Sequence, residues 1–328
     1  MLLDALEPLL CVDDLRAGYR VGSSVVSVLR AVSFEIQPGQ VVALLGESGG
    51  GKSTAILAML GLLPHGSALE GSARFQGLEL IGAPEETLQK IRGACISYIP
   101  QEPLLSLNPV IRAIDQVAMV ARAHERIGIR ESRQRARVAL QQAGLDESQL
   151  HNSYAHQLSG GQRQRVVIAQ AIVNRPSLVI ADEPAGALDA PSAQEILSLL
   201  RGLVQKMGAS LLLITHDPCA ASYIADRVMV MYAGRIVEQG PANDILRSPL
   251  HPYTRGLLRS VLNPPGASSS DRHVAAIEGS PPDFRQLPNG CTFHPRCPDR
   301  MLICADTAPP LTSLASHQTC CFLYDQPR

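Results

Sequence analysis

No apolar run in this chain of 328 residues approaches the roughly 20 residues that a helix needs to cross a bilayer. An excess of charge is missing too. Lys and Arg number 29 against 30 Asp and Glu, a formal net charge of −1, so no global basic field draws the chain toward nucleic acid or anionic lipid. The N-terminal stretch MLLDALEPLLCVDDL has no basic start and is interrupted by Asp4, Glu7 and Pro8, so it does not read as a signal peptide. Internal repeats are absent. Cysteine is scarce over most of the length: of eight cysteines only Cys11, Cys95 and Cys219 precede the last forty or so residues. What remains is a folded protein, 45% hydrophobic and 18% charged, long enough for one large domain or two ordinary ones. A cytoplasmic setting is expected, where thiols stay reduced and clustered cysteines point to metal more than to disulfides.

Short apolar runs bounded by turn residues alternate with longer helical patterns, which predicts an α/β fold with a mostly parallel sheet. VVALL (41–45), LVIA (178–181) and LLLIT (211–215) read as strands buried on both faces. Each ends at a polar residue, and open α/β sheets gather ligands at the carboxyl ends of their strands. RVMVMYAGRIVEQG, with Gly234 at its turn, reads as an antiparallel hairpin. Between Cys95 and Leu158 the strand signal fades, and IRESRQRARVALQQAGL has helical periodicity with a stop at Gly144. A helical subdomain over about 95–165 is therefore expected, inserted in the α/β core. NPPGASSSDRH (263–273) reads as a linker. The expected division is a main domain over 1–262 and a linker with a small C-terminal module over 263–328.

GESGGGKST (46–54) follows the strand VVALL and precedes the apolar stretch AILAMLGLL, which is G-x-x-x-x-G-K-[ST] in its required strand–loop–helix context. Glycines let the backbone N–H groups of Gly46, Glu47, Ser48, Gly49, Gly50 and Gly51 turn inward around phosphates, and the helix N-terminus adds its positive end. Lys52 is placed to reach the β- and γ-phosphates, and the hydroxyl of Ser53, followed by Thr54, to coordinate Mg²⁺. LVIADEP delivers two adjacent carboxylates at a buried strand end: Asp182 suits the Mg²⁺ shell, and Glu183 suits a general base that polarises water. LSGGQRQRVVIAQAI (158–172) starts another helix with Ser and paired Gly, a second anion-binding end that a single active site does not need.

These motifs together resemble the ATP-binding cassette (ABC) ATPases, whose signature is LSGGQ. The resemblance implies a P-loop cassette fold, with an antiparallel β subdomain and an inserted helical subdomain, that hydrolyses ATP. It implies two cassettes paired head to tail, so that Ser159, Gly160, Gly161 and Gln162, with Asp189 in ALDAPS, face the partner's nucleotide. By the same resemblance Tyr19 matches the aromatic that stacks on adenine, Gln101 the residue that senses Mg²⁺ and water and contacts the membrane partner, and His216 the γ-phosphate contact. Departures are Ala185 and Gly186, where close relatives read two threonines, and Gly50, where relatives often have Ser. DNA-repair cassettes insert long coiled coils between phosphate loop and signature; only about a hundred residues lie between them here, with no sustained heptads.

QEPLLSLNPV around Gln101 and SPLHPYTRGLL (248–258) resemble, more narrowly, the ATPase subunits of dipeptide, oligopeptide and nickel importers. That resemblance implies a protein on the cytoplasmic face of the membrane that powers peptide import, with nickel or another small solute as the rival cargo. Its partners would be two transmembrane permease subunits, a second and non-identical cassette, and an extracytoplasmic binding protein, with no nucleic acid. The tail GCTFHPRCPDRMLICADTAPPLTSLASHQTCC (290–321) holds the other five cysteines. Their thiolates could hold zinc or an iron–sulfur cluster, and the paired C-x2-C knuckles of structural zinc are missing. The resemblance implies a [4Fe–4S] cluster on Cys291, Cys297, Cys304 and Cys320, in a small cysteine-rich metal-binding module; Cys320 rather than Cys321 is taken as the last ligand.

Overall fold

The computed structural model describes residues 7–146, 153–260 and 276–325. The stretch read as a linker, 263–273, lies outside them. Two compact units emerge: one comprises residues 1–37, 42–82 and 214–328, the other 38–41 and 83–213.

The first unit carries two sheets. Strands Leu10–Val21 and Ser24–Ile36 form an antiparallel pair about a turn at Gly22, and Ala68–Phe75 and then Leu78–Glu79 extend it on the other side. Side chains alternate between buried and exposed along much of this sheet, as expected where one face meets a core and the other meets water. The second sheet contains Val41–Leu45, buried at every residue. Val42 to Leu45 pair in parallel with the strand Arg227–Tyr232. That strand turns at Ala233 and Gly234, both at positive φ, into Arg235–Pro241, forming the expected antiparallel hairpin. The short strands His317–Thr319 and Thr312–Leu314 continue the sheet outward. Helices Lys52–Met59, Pro218–Ile224, Ala242–Arg247 and Pro252–Arg259 complete the unit.

In the second unit Ile96–Ile99 pairs in parallel with Leu178–Asp182, and Ser210–Thr215 is the next strand in order. Ile96–Ile99 is a strand where strand signal was expected to fade. Four residues are too few for periodicity to declare, and burial of Ile96, Ser97 and Ile99 against the sheet decides their conformation. Helices Ala113–His124, Ile129–Gln142 and Gly160–Ile172 supply the helical part. The second of these stops as expected, with Gly144 at φ +77°. No helix among the described residues is long and apolar enough to cross a membrane.

Candidate nucleotide site and thiol cavity

The phosphate loop leaves the buried strand Val41–Leu45 at Gly46. A methyl group on Gly46 would sit 2.3 Å from the carbonyl oxygen of Met231, so only glycine fits where the loop crosses its neighbour. The loop ends at Gly51, which caps helix Lys52–Met59 at φ +99°. Lys52 is buried, and its ammonium is held by the carbonyls of Gly46 at 2.8 Å and Glu47 at 2.9 Å. A buried ammonium needs such acceptors, and those of the loop itself keep Lys52 in the loop it is expected to serve. Tyr19 hydrogen-bonds the hydroxyl of Thr54 at 3.1 Å, so this aromatic does stand beside the start of the loop's helix.

Two supports of the loop come from residues to which sequence reasoning assigned no role. The Glu47 amide donates to Tyr253 Oη at 2.9 Å, and the Glu47 carboxylate takes both ends of the Arg296 guanidinium at 2.9 and 3.0 Å. Tyr253 lies in HPYTRG and Arg296 in FHPRC, stretches noted only for family likeness, and nothing in their spacing reveals partners some two hundred residues upstream. Tyr232, Tyr253 and Phe293 pack ring against ring around them, with centroids 4.6 to 5.4 Å apart. Burial raises the ionisation of Tyr253 well above the ordinary phenol value, so its hydroxyl is neutral and able to accept and donate.

In the second unit Asp182 ends its strand buried, with the Tyr98 hydroxyl donating to Oδ2 at 3.2 Å. Burial, and then the charge of Asp182, raise the Tyr98 ionisation. Carboxylate oxygens are hard donors, and in that respect Asp182 fits Mg²⁺. Glu183 is half-buried and takes φ +47°, a left-handed backbone that costs a side-chain-bearing residue about 1–3 kcal/mol. A Cβ at Gly186 would approach Glu183 Oε2 to 3.2 Å, so the glycine that replaces threonine here leaves room for that carboxylate.

The signature serine caps its helix: Ser159 Oγ accepts from the Gln162 amide at 3.3 Å, and Gln162 Oε1 accepts from the Ser159 amide at 2.9 Å. Ser159 and Gly160 are exposed, with Gly161 and Gln162 half-buried behind them. Asp189 caps helix Ala190–Met207 through the Ser192 amide, and hydrogen bonding to the Ser192 side chain, then to that amide, lowers its carboxyl from the ordinary value. Gln101 and His216 are both exposed.

The first unit matches the expected cysteine module only in part. Among the described residues no three His, Cys, Asp or Glu side chains stand close enough together to hold a metal ion, so an assembled metal-binding module is not observed. Cys291, Cys297, Cys304 and Cys321 do line one narrow cavity of about 10 Å³, room for hardly more than one water molecule, with Phe293, Met301 and Phe322. Cys320 is not among the residues that line it. It follows the strand His317–Thr319, its amide donates to Val237 O at 2.8 Å, and its thiol is turned to Ile236 O at 3.6 Å. Extended backbone sends successive side chains to opposite faces, so Cys321 points where Cys320 does not. Burial raises the thiols of Cys291 and Cys321 and pushes Cys297 up to about 11.

Comparison with known proteins follows the same residues. Residues 29–186 match the family described as ABC transporter, and 237–304 match the oligopeptide/dipeptide transporter C-terminal region. The oligopeptide transport ATP-binding protein AppD of Bacillus subtilis is 41% identical over 325 residues, covering 98% of both chains. The chain belongs to the ABC transporter ATP-binding proteins, in their oligopeptide and dipeptide branch. The OppD protein of Mycobacterium tuberculosis is also 41% identical, over 96% of this cassette, which spans only about half, 52%, of that relative's length. Among solved structures, the dimeric cassette MJ0796 with ADP and Pi superposes with a TM-score of 0.64 at 29% identity, covering 71% of this cassette and 98% of that chain.

Proposed function

We propose that this cassette is the ATP-hydrolysing subunit of an importer for dipeptides or oligopeptides, working at the cytoplasmic face of the membrane. The observation that carries the reading is the phosphate loop: glycine at its one crossing point, a helix N-terminus at its end, and a buried Lys52 ammonium held within it. Lys52 and the amides from Gly46 to Gly51 bind the phosphates, with Ser53 and Thr54 at the helix start and Tyr19 against adenine. Asp182, Ser53 and Gln101 would hold Mg²⁺, which would supply charge neutralisation for the phosphates. Glu183 takes the proton of the attacking water, and His216 orients the γ-phosphate. Ser159, Gly160, Gly161, Gln162 and Asp189 act on the nucleotide of a second cassette, and the cap at Ser159 keeps that helix end aimed outward.

Exposed Leu104, Leu105 and Val110, a few residues beyond Gln101, supply the apolar surface that a docked permease subunit would cover. The full assembly is two permease subunits, a second cassette and an extracytoplasmic binding protein. Four soft thiols round one cavity suit a [4Fe–4S] cluster or zinc in their donor chemistry. By family likeness Cys291, Cys297 and Cys304, with Cys320 or Cys321, would hold it once drawn closer together than they stand here, and it would supply a staple for a module with little core of its own.

The test is uptake of a labelled dipeptide, a longer peptide and nickel in cells lacking the gene, restored with wild type or Glu183→Gln. Peptide uptake recovered by wild type alone is expected. Recovery by Glu183→Gln would remove the catalytic role of that carboxylate, and a defect confined to nickel would overturn the cargo.

A further inference from the structure

We propose, resting on the nucleotide reading above, that Arg296 is a positioning residue for the phosphate loop and couples the cysteine module to the affinity of that loop for ATP. Glu47 is anchored through every polar group it has. Its amide is on Tyr253 Oη, its carbonyl on Lys52 Nζ and its carboxylate on the Arg296 fork. Arg296 is held as firmly on its own side. Its Nε donates to Glu278 O at 3.0 Å, Nη1 reaches Tyr232 Oη at 3.3 Å, and the guanidinium lies 5.8 Å from the centre of the Tyr232 ring. Side-chain exposure falls to 7% at Arg296 and 22% at Glu47, so this pair escapes the screening that makes surface ion pairs weak. Two parallel N–H···O bonds also fix direction as well as distance, which a lysine could not do.

Charge gives the pair its consequence. Glu47 puts a carboxylate into a loop whose task is to wrap a polyphosphate anion. Paired with Arg296 the carboxylate is neutralised and directed aside. Left alone it would repel the incoming phosphates in a setting with little water to weaken the repulsion. Position gives the link to the module. Arg296 closes the short turn His294–Arg296, which lies between Cys291 and Cys297, two of the thiols that line the cavity. Phe293, just ahead of that turn, packs its ring 5.2 Å from Tyr232 and 5.4 Å from Tyr253. A displacement of Cys291 against Cys297 is therefore passed to the segment that carries Arg296.

The experiment is equilibrium binding of Mg²⁺ with a methylanthraniloyl derivative of ATP to the purified full chain, with a urea unfolding curve for each variant. Arg296→Gln raises Kd by about tenfold, the scale of one poorly screened charge. The double variant Glu47→Gln/Arg296→Gln recovers most of that loss, because the stranded carboxylate has gone. A purely structural Arg296 would lose as much affinity in either background, and that result overturns the proposal, as does wild-type binding by Arg296→Gln. Cys297→Ser weakens binding in the same direction and adds nothing in the Arg296→Gln background; additive losses would sever the link to the module. Lys52→Ala abolishes binding in every case. Binding retained by Lys52→Ala would instead sink the nucleotide reading, whatever Arg296 does.

Discussion

Tyr253→Phe isolates one hydrogen bond that shapes the phosphate loop. The ring is fully buried and packs 4.6 Å from Tyr232 and 5.4 Å from Phe293, and phenylalanine retains all of that packing. What disappears is the acceptor for the Glu47 amide at 2.9 Å. A net hydrogen bond of this kind contributes about 0.5–1.5 kcal/mol, while a buried donor left unmatched costs about 1–3 kcal/mol. Glu47 keeps some exposure, so water can meet part of that need, which puts the expected loss near the lower end, about 1 kcal/mol. Urea unfolding should show a lower midpoint with an unchanged slope, since no surface is newly exposed in the folded state. Tyr253→Ala provides the scale: it removes the ring as well and should cost about 3–5 kcal/mol. An unchanged midpoint for Tyr253→Phe would refute the claim that the hydroxyl braces the loop. A loss as large as that of the alanine variant would show that the ring packing, and not one hydrogen bond, had been disturbed.

Gly46→Ala puts a methyl group 2.3 Å from the Met231 carbonyl, a backbone atom that cannot swing away; a loss of about 1–3 kcal/mol and weaker nucleotide binding are expected, and wild-type values for both would contradict the contact. Ser159→Ala removes the cap of helix Gly160–Ile172 and should cost about 0.5–2 kcal/mol, seen as faster hydrogen exchange of the Gln162 amide; unchanged exchange would mean that the cap is not formed in solution. Cys321→Ser should lower the iron or zinc found by elemental analysis of anaerobically purified protein, while Cys320→Ser leaves it. The reverse pattern would make Cys320 the ligand.

Much of this cassette was legible in its residues because the relevant physics is local. Glycines before a lysine, at the junction of a buried strand and a helix, allow little besides a phosphate loop. Ser159 with its paired glycines marks a helix start, and Gly234 after a continuous apolar run makes a hairpin. The strand Ile96–Ile99 was harder, since four residues carry no period and the pairing with Leu178–Asp182 decides their shape. Two features were beyond local reasoning altogether. Cys320 and Cys321 are adjacent and chemically identical, and pairing of the preceding strand with Arg235–Pro241 alone determines which thiol faces the cavity. Arg296 meets Glu47 across 249 positions of chain, in surroundings that only the packed rings of Tyr232, Tyr253 and Phe293 create. The sequence by itself thus determined the chemistry of the phosphate loop and the signature helix. Tertiary structure decided which thiol turns inward and what braces the loop, because side-chain direction and desolvation belong to the packed fold and not to neighbours in the chain.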